Sequence, residues 1–248
     1  MELNEVIIKE IKSFVKSSEK KTKYREPLVG FANVKNPAFN ELKTIAAPNH
    51  YLPTDLLLEA VSVVSFFLPF TEELVDINQN HSYISKEWAI AYIETNQLID
   101  EIVVHMADFL RKHGIKCSSN PAREPFSKEI LMHRWSQRHV AKICGLGSFG
   151  INNMLITKLG CAGRYGSFVT DASLDYNEPN TDEYCLYKKD GSCSVCVELC
   201  PTGALKIDGF DRHKCYAWLK NTNDYYSDLD ECDVCGKCIT VPCAFKIP

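Results

Sequence analysis

Nine of the twelve cysteines in this chain fall between Cys185 and Cys243, and their spacing is that of metal ligands. The run Cys193-x2-Cys196-x3-Cys200-Pro201 matches the last three positions of the bacterial ferredoxin pattern C-x2-C-x2-C-x3-C-P. Such spacings bring thiolates from one tight loop onto separate irons of a cubane, while the cysteine before proline leaves to serve a second cluster. The first position of the pattern is Asp190 here. The fourth ligand is therefore either Cys185, further upstream, or Asp190 through oxygen. Cys185 is favoured because thiolates normally hold iron–sulfur clusters. A second run, Cys232-x2-Cys235-x2-Cys238-x4-Cys243, carries Pro242 before its last cysteine, and Cys215 stands alone between the runs. Two [4Fe–4S] clusters need eight thiolates, so one of Cys215, Cys232, Cys238 and Cys243 is spare. Zinc also uses C-x2-C pairs, and nine cysteines could build two zinc sites. The run C-x2-C-x3-C-P followed by Thr-Gly-Ala-Leu favours cubanes. The chemistry expected is electron transfer, in a direction that the spacing leaves open.

The rest of the composition is that of an ordinary globular protein. The chain has 248 residues, 45% of them hydrophobic and 24% charged, enough for a real core. A net charge of -4 supplies no field that would gather nucleic acid or an anionic membrane. The longest apolar run, AVSVVSFFLPF, is interrupted by Ser and Pro and is too short to span a bilayer. The N-terminal stretch is charged throughout, unlike a signal peptide. These features predict a cytoplasmic protein, where thiols stay reduced and twelve cysteines argue for metal rather than disulfides.

The elements that must position the cysteines come earlier in the chain. The cysteine-poor part, residues 1–178, predicts a mixed α/β domain, and residues 179–248 a cysteine-rich one. LDYNEPNTDEY is the expected linker. Residues 2–19 place Val6, Ile7, Ile11, Phe14 and Val15 at helical spacing. AVSVVSFFL, closed by Pro69, reads as a buried strand. Ser85 reads as the N-cap of a long helix that stops near Gly114. Ser136 caps a shorter helix, and NMLIT and GSFVTDA read as two short strands.

Residues GSCSVCVELCPTGALKIDGFDRHKCYAWL and the following CDVC resemble the double-cluster module of the epoxyqueuosine reductases and the corrinoid reductive dehalogenases. AKICGLGSFGINNMLIT, RYGSFVTDASL and AVSVVSFFLPF resemble the first domain of the same family. The resemblance implies a nitroreductase-like α/β domain holding cobalamin beside a bacterial-ferredoxin-like domain with two [4Fe–4S] clusters. It implies one cluster on Cys185, Cys193, Cys196 and either Cys238 or Cys243, and another on Cys200, Cys215, Cys232 and Cys235. It also implies reduction of cobalt to Co(I), reduction of a bound substrate, and a ferredoxin- or flavodoxin-type electron donor. Three departures bear on the substrate. The family's Asp-Thr-Gly-Pro segment, with its proton-donating Asp, corresponds here to LMHRWSQRHV. The Lys of its Gly-Lys-Asn corresponds to Ile151. No helical-repeat segment of the kind that helps hold tRNA follows the cysteines, so epoxyqueuosine reduction is not the expected activity.

The remaining candidates carry two readings each. Gly145, Gly147 and Gly150, with Asn152, Thr170 and Asp171, could line a cofactor; GLGSFG could equally be a tight turn that packs a helix on the sheet. His133, Arg134, Arg138 and His139 crowd ahead of this loop, where a histidine could supply a proton or the group could be a solvated helix face. Two functions follow. A cobalamin-dependent reductase needs an open cavity in the first domain. A carrier that reduces a corrinoid partner protein needs only a docking scaffold.

Overall fold

The structure, a computed structural model, describes residues 2–118, 127, 129 and 131–248. Its helices are α1 (Leu3–Ser17), α2 (Ala38–Ile45), α3 (Pro53–Leu56), α4 (Glu72–Asn80), α5 (Lys86–Arg111), α6 (Gln137–Ile143), α7 (Leu186–Asp190), α8 (Val195–Glu198) and α9 (Arg212–Tyr225). Its strands are β1 (Leu28–Asn33), β2 (Ser62–Pro69), β3 (Gly147–Phe149), β4 (Leu155–Thr157), β5 (Gly163–Thr170), β6 (Leu205–Lys206) and β7 (Gly209–Phe210). The architecture is mixed α/β, as the order of patterns in the sequence predicts.

An antiparallel sheet in the order β1-β2-β5 carries the core. β2 is buried along its whole length because it has a strand on each edge and helices over each face. Its side chains alternate between those faces. Val64, Phe66 and Leu68 meet Ile7 and Ile11 of α1 and Leu98, Ile102 and Met106 of α5. Val63 packs with Phe39, Leu42, Trp135 and Val140, and Phe67 with Ala141, Leu155 and Tyr165. The Ser85 hydroxyl accepts the Trp88 N–H at 3.2 Å, and Gly114 closes the far end of α5 in the left-handed region.

β1 has no counterpart among the sequence expectations. Gly30 at its centre weakens the strand signal and is needed there: a Cβ would lie 2.3 Å from the Cys144 carbonyl at the end of α6. The proline-punctuated stretch from Pro37 to Pro53 contains α2 and leads into α3. The glycine-rich segment contains β3, paired antiparallel with β4.

The cysteine-rich segment is stitched to this core. Cys161 N–H donates to the Cys243 carbonyl at 2.9 Å, and Ala162 N–H to the Ala244 carbonyl at 3.0 Å. The Arg25 guanidinium donates to the carbonyls of Phe70, Leu159 and Phe245. The Lys237 ammonium donates to the Asn78, Gln79 and His81 carbonyls at the end of α4, where a cation suits the helix dipole. Buried Asn78 accepts the Ser85 N–H and donates to the Cys235 carbonyl, so it ties α5 to the cysteine loop. Among the described residues, no helix is long and apolar enough to cross a membrane.

Candidate metal centre

Two groups of four thiols converge. Cys185, Cys193, Cys196 and Cys243 line one cavity together with Gly150, Ile151, Asn152, Ile156, Leu186 and Val241. Cys185 sits at the start of α7, Cys196 lies in α8, and Cys243 is delivered by the backbone ladder to Cys161. Burial, then the charges of Cys243, Cys185 and Cys193, push Cys196 up to about 12. The Cys161 and Cys243 sulfurs are 3.8 Å apart; Cys161 keeps its proton and donates it toward Cys243, whose own pKa falls.

Cys200, Cys215, Cys235 and Cys238 feel one another's charges and make up the second group. Burial pushes Cys215 up to about 11, aided by the charges of Cys235 and Cys200. Burial also raises Cys238, followed by repulsion from Cys235, Cys215, Cys196 and Cys200, so the two groups are neighbours. Cys200 runs the other way. Burial opposes its ionisation, but donors outweigh it: the Leu205 N–H at 3.4 Å and the Thr202 hydroxyl at 3.6 Å.

The ninth cysteine, Cys232, stands apart. It is fully buried against Ala89 and Tyr226, its sulfur faces the Thr222 carbonyl at 3.9 Å, and the charges it feels are those of Asp233 and Asp228. This arrangement differs from the pairing that the resemblance implies. Cys238 feels the charges of Cys235, Cys215 and Cys200, Cys243 lines the first cavity, and Cys232 feels no other thiol. Exposed Asp190 accepts the Ser192 N–H instead of joining the thiols.

The donor set fits cubanes. Among the described residues, no three His, Cys, Asp or Glu side chains close on a single ion position. A cubane asks for something else: four thiolates, each on its own iron. Burial and mutual repulsion oppose four thiolates on their own, and a cationic metal core relieves both. The indole nitrogen of Trp218 points the same way. It is buried without a hydrogen-bond partner, on the face of α9 that carries Cys215.

The residues read as cofactor-lining do not gather in one place. Gly147 is filled by protein, since a Cβ there would lie 1.9 Å from the Ile156 carbonyl oxygen. Gly145, in the left-handed region, abuts the Glu178 carbonyl. Gly150 and Asn152 do reach the metal centre: Gly150 lines the first cavity, and Asn152 donates to the Cys238 carbonyl at 2.9 Å. Thr170 and Asp171 lie at the opposite end of β5 from Cys161, about 25 Å of strand away. There they bind the Lys116 carbonyl and N–H respectively.

The polar group ahead of the loop is knitted into the fold. Burial, then the charge of Arg138, pushes His139 down to about 4; its Nδ1 meets the Ser136 hydroxyl at 2.7 Å and its ring packs on Phe149. Arg138 donates to the Asn153 carbonyl at 2.8 Å. Buried His50, which no sequence motif marks, joins them. Its Nε2 accepts the Ser136 N–H at 2.9 Å, which leaves Nδ1–H to donate to the Tyr51 carbonyl.

No protein-family model matches the chain. An epoxyqueuosine reductase of Bacillus anthracis is 33% identical over 110 residues, which cover 40% of this chain and 28% of that protein. The structure of epoxyqueuosine reductase from Streptococcus thermophilus superposes with a TM-score of 0.65 at 16% identity, over 100% of this chain and 68% of that one. The chain is thus similar in sequence to epoxyqueuosine reductases over those 110 residues, and it shares the fold of epoxyqueuosine reductases and reductive dehalogenases. A reductive dehalogenase whose structure is described as suggesting a mechanism for B12-dependent dehalogenation shares the fold, with a TM-score of 0.51 at 17% identity over 76% of this chain and 26% of that one. The aligned sequence spans little more than a quarter of the length of the first of these relatives.

Proposed function

We propose that the chain is an iron–sulfur redox protein with two [4Fe–4S] clusters, one on Cys185, Cys193, Cys196 and Cys243 and the other on Cys200, Cys215, Cys235 and Cys238. The observation that carries this reading is the division of eight thiols into two groups of four, with Cys232 excluded. Each cluster supplies a one-electron carrier. The chain's own residues hold and insulate these carriers. Ile151, Ile156, Leu186 and Val241 keep water from the first group. The Leu205 N–H and Thr202 hydroxyl compensate charge on the second. In this reading the α/β part is nitroreductase-like, the cysteine-rich part ferredoxin-like, and a ferredoxin- or flavodoxin-type protein supplies the electrons.

The acceptor proposed is a cobalamin, supported by the likeness to the B12-dependent dehalogenase structure. Gly145 and Gly147 are filled by the protein's own backbone, and Thr170 and Asp171 are remote from the thiols, so these residues do not build a corrin cradle. That favours the form of the proposal in which electrons leave for a corrinoid held by a partner protein. The test is anaerobic purification with assay of iron, sulfide and zinc, followed by EPR of added cob(II)alamin. About eight irons per chain are expected, and cob(II)alamin alone should keep its free signal. A changed cobalt signal would restore the resident-cofactor form. Zinc in place of iron would overturn the proposal.

A further inference from the structure

We infer that Trp218 donates its indole N–H to the sulfur of Cys235 and thereby holds the second cluster at a higher reduction potential than the first. The inference rests on the two-cluster reading. Cys215, Trp218 and Thr222 lie at i, i+3 and i+7 on α9 and so share one helix face. The face that sends Cys215 to the second thiol group therefore sends the indole there too. The ring is held in place from behind. Tyr83 packs edge-on against it at 5.3 Å, and the Tyr83 hydroxyl meets the Thr222 hydroxyl at 3.3 Å.

An indole nitrogen can only donate. Here it is buried on the helix face of Cys215 and makes no hydrogen bond within the protein, an uncommon state for a polar atom in a folded protein and one that a charged cluster thiolate would relieve. Cys235 sulfur is the acceptor within its influence. An N–H aimed at a cluster thiolate favours the reduced, more negative form of the cluster, and hydrogen bonds to the sulfurs are among the factors that set cluster potentials. The Leu205 N–H and the Thr202 hydroxyl already lie against Cys200 in the second site, whereas the first has the weak S–H donor of Cys161 on Cys243. The first cavity is walled mainly by aliphatic side chains.

The test is an EPR-monitored redox titration of the holoprotein, wild type against Trp218→Phe. The phenyl ring keeps the packing on Tyr83 and removes the donor. The higher of the two midpoints should fall by about 59 mV, a tenfold loss in the ratio of reduced to oxidised cluster at fixed potential. The lower midpoint and the iron content should stay as they were. An unmoved higher midpoint with full iron overturns the inference. If the variant loses iron, electron–nuclear double resonance on reduced wild type carrying 15N-labelled tryptophan decides instead. Coupling of an indole nitrogen or its exchangeable proton to the higher-potential cluster is expected, and its absence overturns the inference. A wild type without iron would instead defeat the two-cluster reading, which separates the two failures.

Discussion

The two thiol groups are neighbours built from the same residue type, yet their surroundings differ: apart from the S–H of Cys161 on Cys243, the first is lined mainly by aliphatic side chains. The first has walls of Ile151, Ile156, Leu186 and Val241, and its Cys196 is driven toward the neutral thiol. The second has donors aimed at sulfur, enough to pull Cys200 toward the thiolate despite its burial. The difference teaches that cysteine spacing fixes where irons can sit, while the second layer of side chains fixes how readily they take electrons. The largest effects test the division itself. Cys193→Ala should cost about four of eight irons and erase one EPR signal, and Cys238→Ser should do the same to the other. Cys232→Ser should keep all the iron. A Cys232 variant that lost half its iron would restore the Cys232–Cys235 pairing and break the comparison at its root.

A smaller effect should come from the loop that carries Cys235 and Cys238. Gly236 sits between them with φ 77°, and a Cβ there would come within 2.3 Å of the Trp88 ring. Trp88 is buried in the core, so it cannot step aside cheaply. Gly236→Ala should therefore combine left-handed strain with overpacking, about 2 kcal/mol or more. For a chain of this size that is a fall in Tm of about 5 °C. Iron release on warming should begin at the second site while the first still holds, because the strain enters through the second site's loop.

Much of this arrangement was legible in local sequence. Ser85, Gly114 and the eight buried residues of β2 behave as their types demand, since caps and continuous apolar runs act over a few residues. The metal-binding character of the cysteines was legible for the same reason. Their partition was not. Cys235 forms a C-x2-C pair with Cys232 and with Cys238, so spacing cannot choose between them. The choice is made by Asn78 and Trp88, more than 140 residues upstream, and by Tyr226 covering Cys232. The nearness of Cys161 to Cys243 and the place of His50 were hidden likewise, because both depend on chain segments meeting in space.

The contrast also extends to protons. A histidine near the glycine-rich loop looks like a proton donor in the sequence, but burial and the Arg138 charge hold His139 neutral down to about pH 4. An unfolded histidine titrates near 6.5. Above that pH both states are neutral and His139 adds no pH dependence. Between about 6.5 and 4 the unfolded chain binds a proton that the folded chain refuses, so stability falls as pH falls. Urea unfolding across that window should show the loss in wild type and a flatter profile in His139→Gln. Equal slopes would mean that His139 protonates freely in the fold and can serve as the acid after all.

The finest adjustment expected is at Thr202. Its hydroxyl lies 3.6 Å from the Cys200 sulfur and also accepts the Ala204 N–H, so it holds the turn that aims the Leu205 N–H at the same sulfur. Thr202→Val removes the hydroxyl but keeps the branched shape. The higher midpoint should fall by less than in Trp218→Phe, because the hydroxyl contact is long and the Leu205 N–H remains. The lower midpoint should not move. A drop in the lower midpoint instead would assign the donor-rich site to the lower-potential cluster. Polarity around the sulfurs would then be outweighed by the charge and solvent exposure of each site.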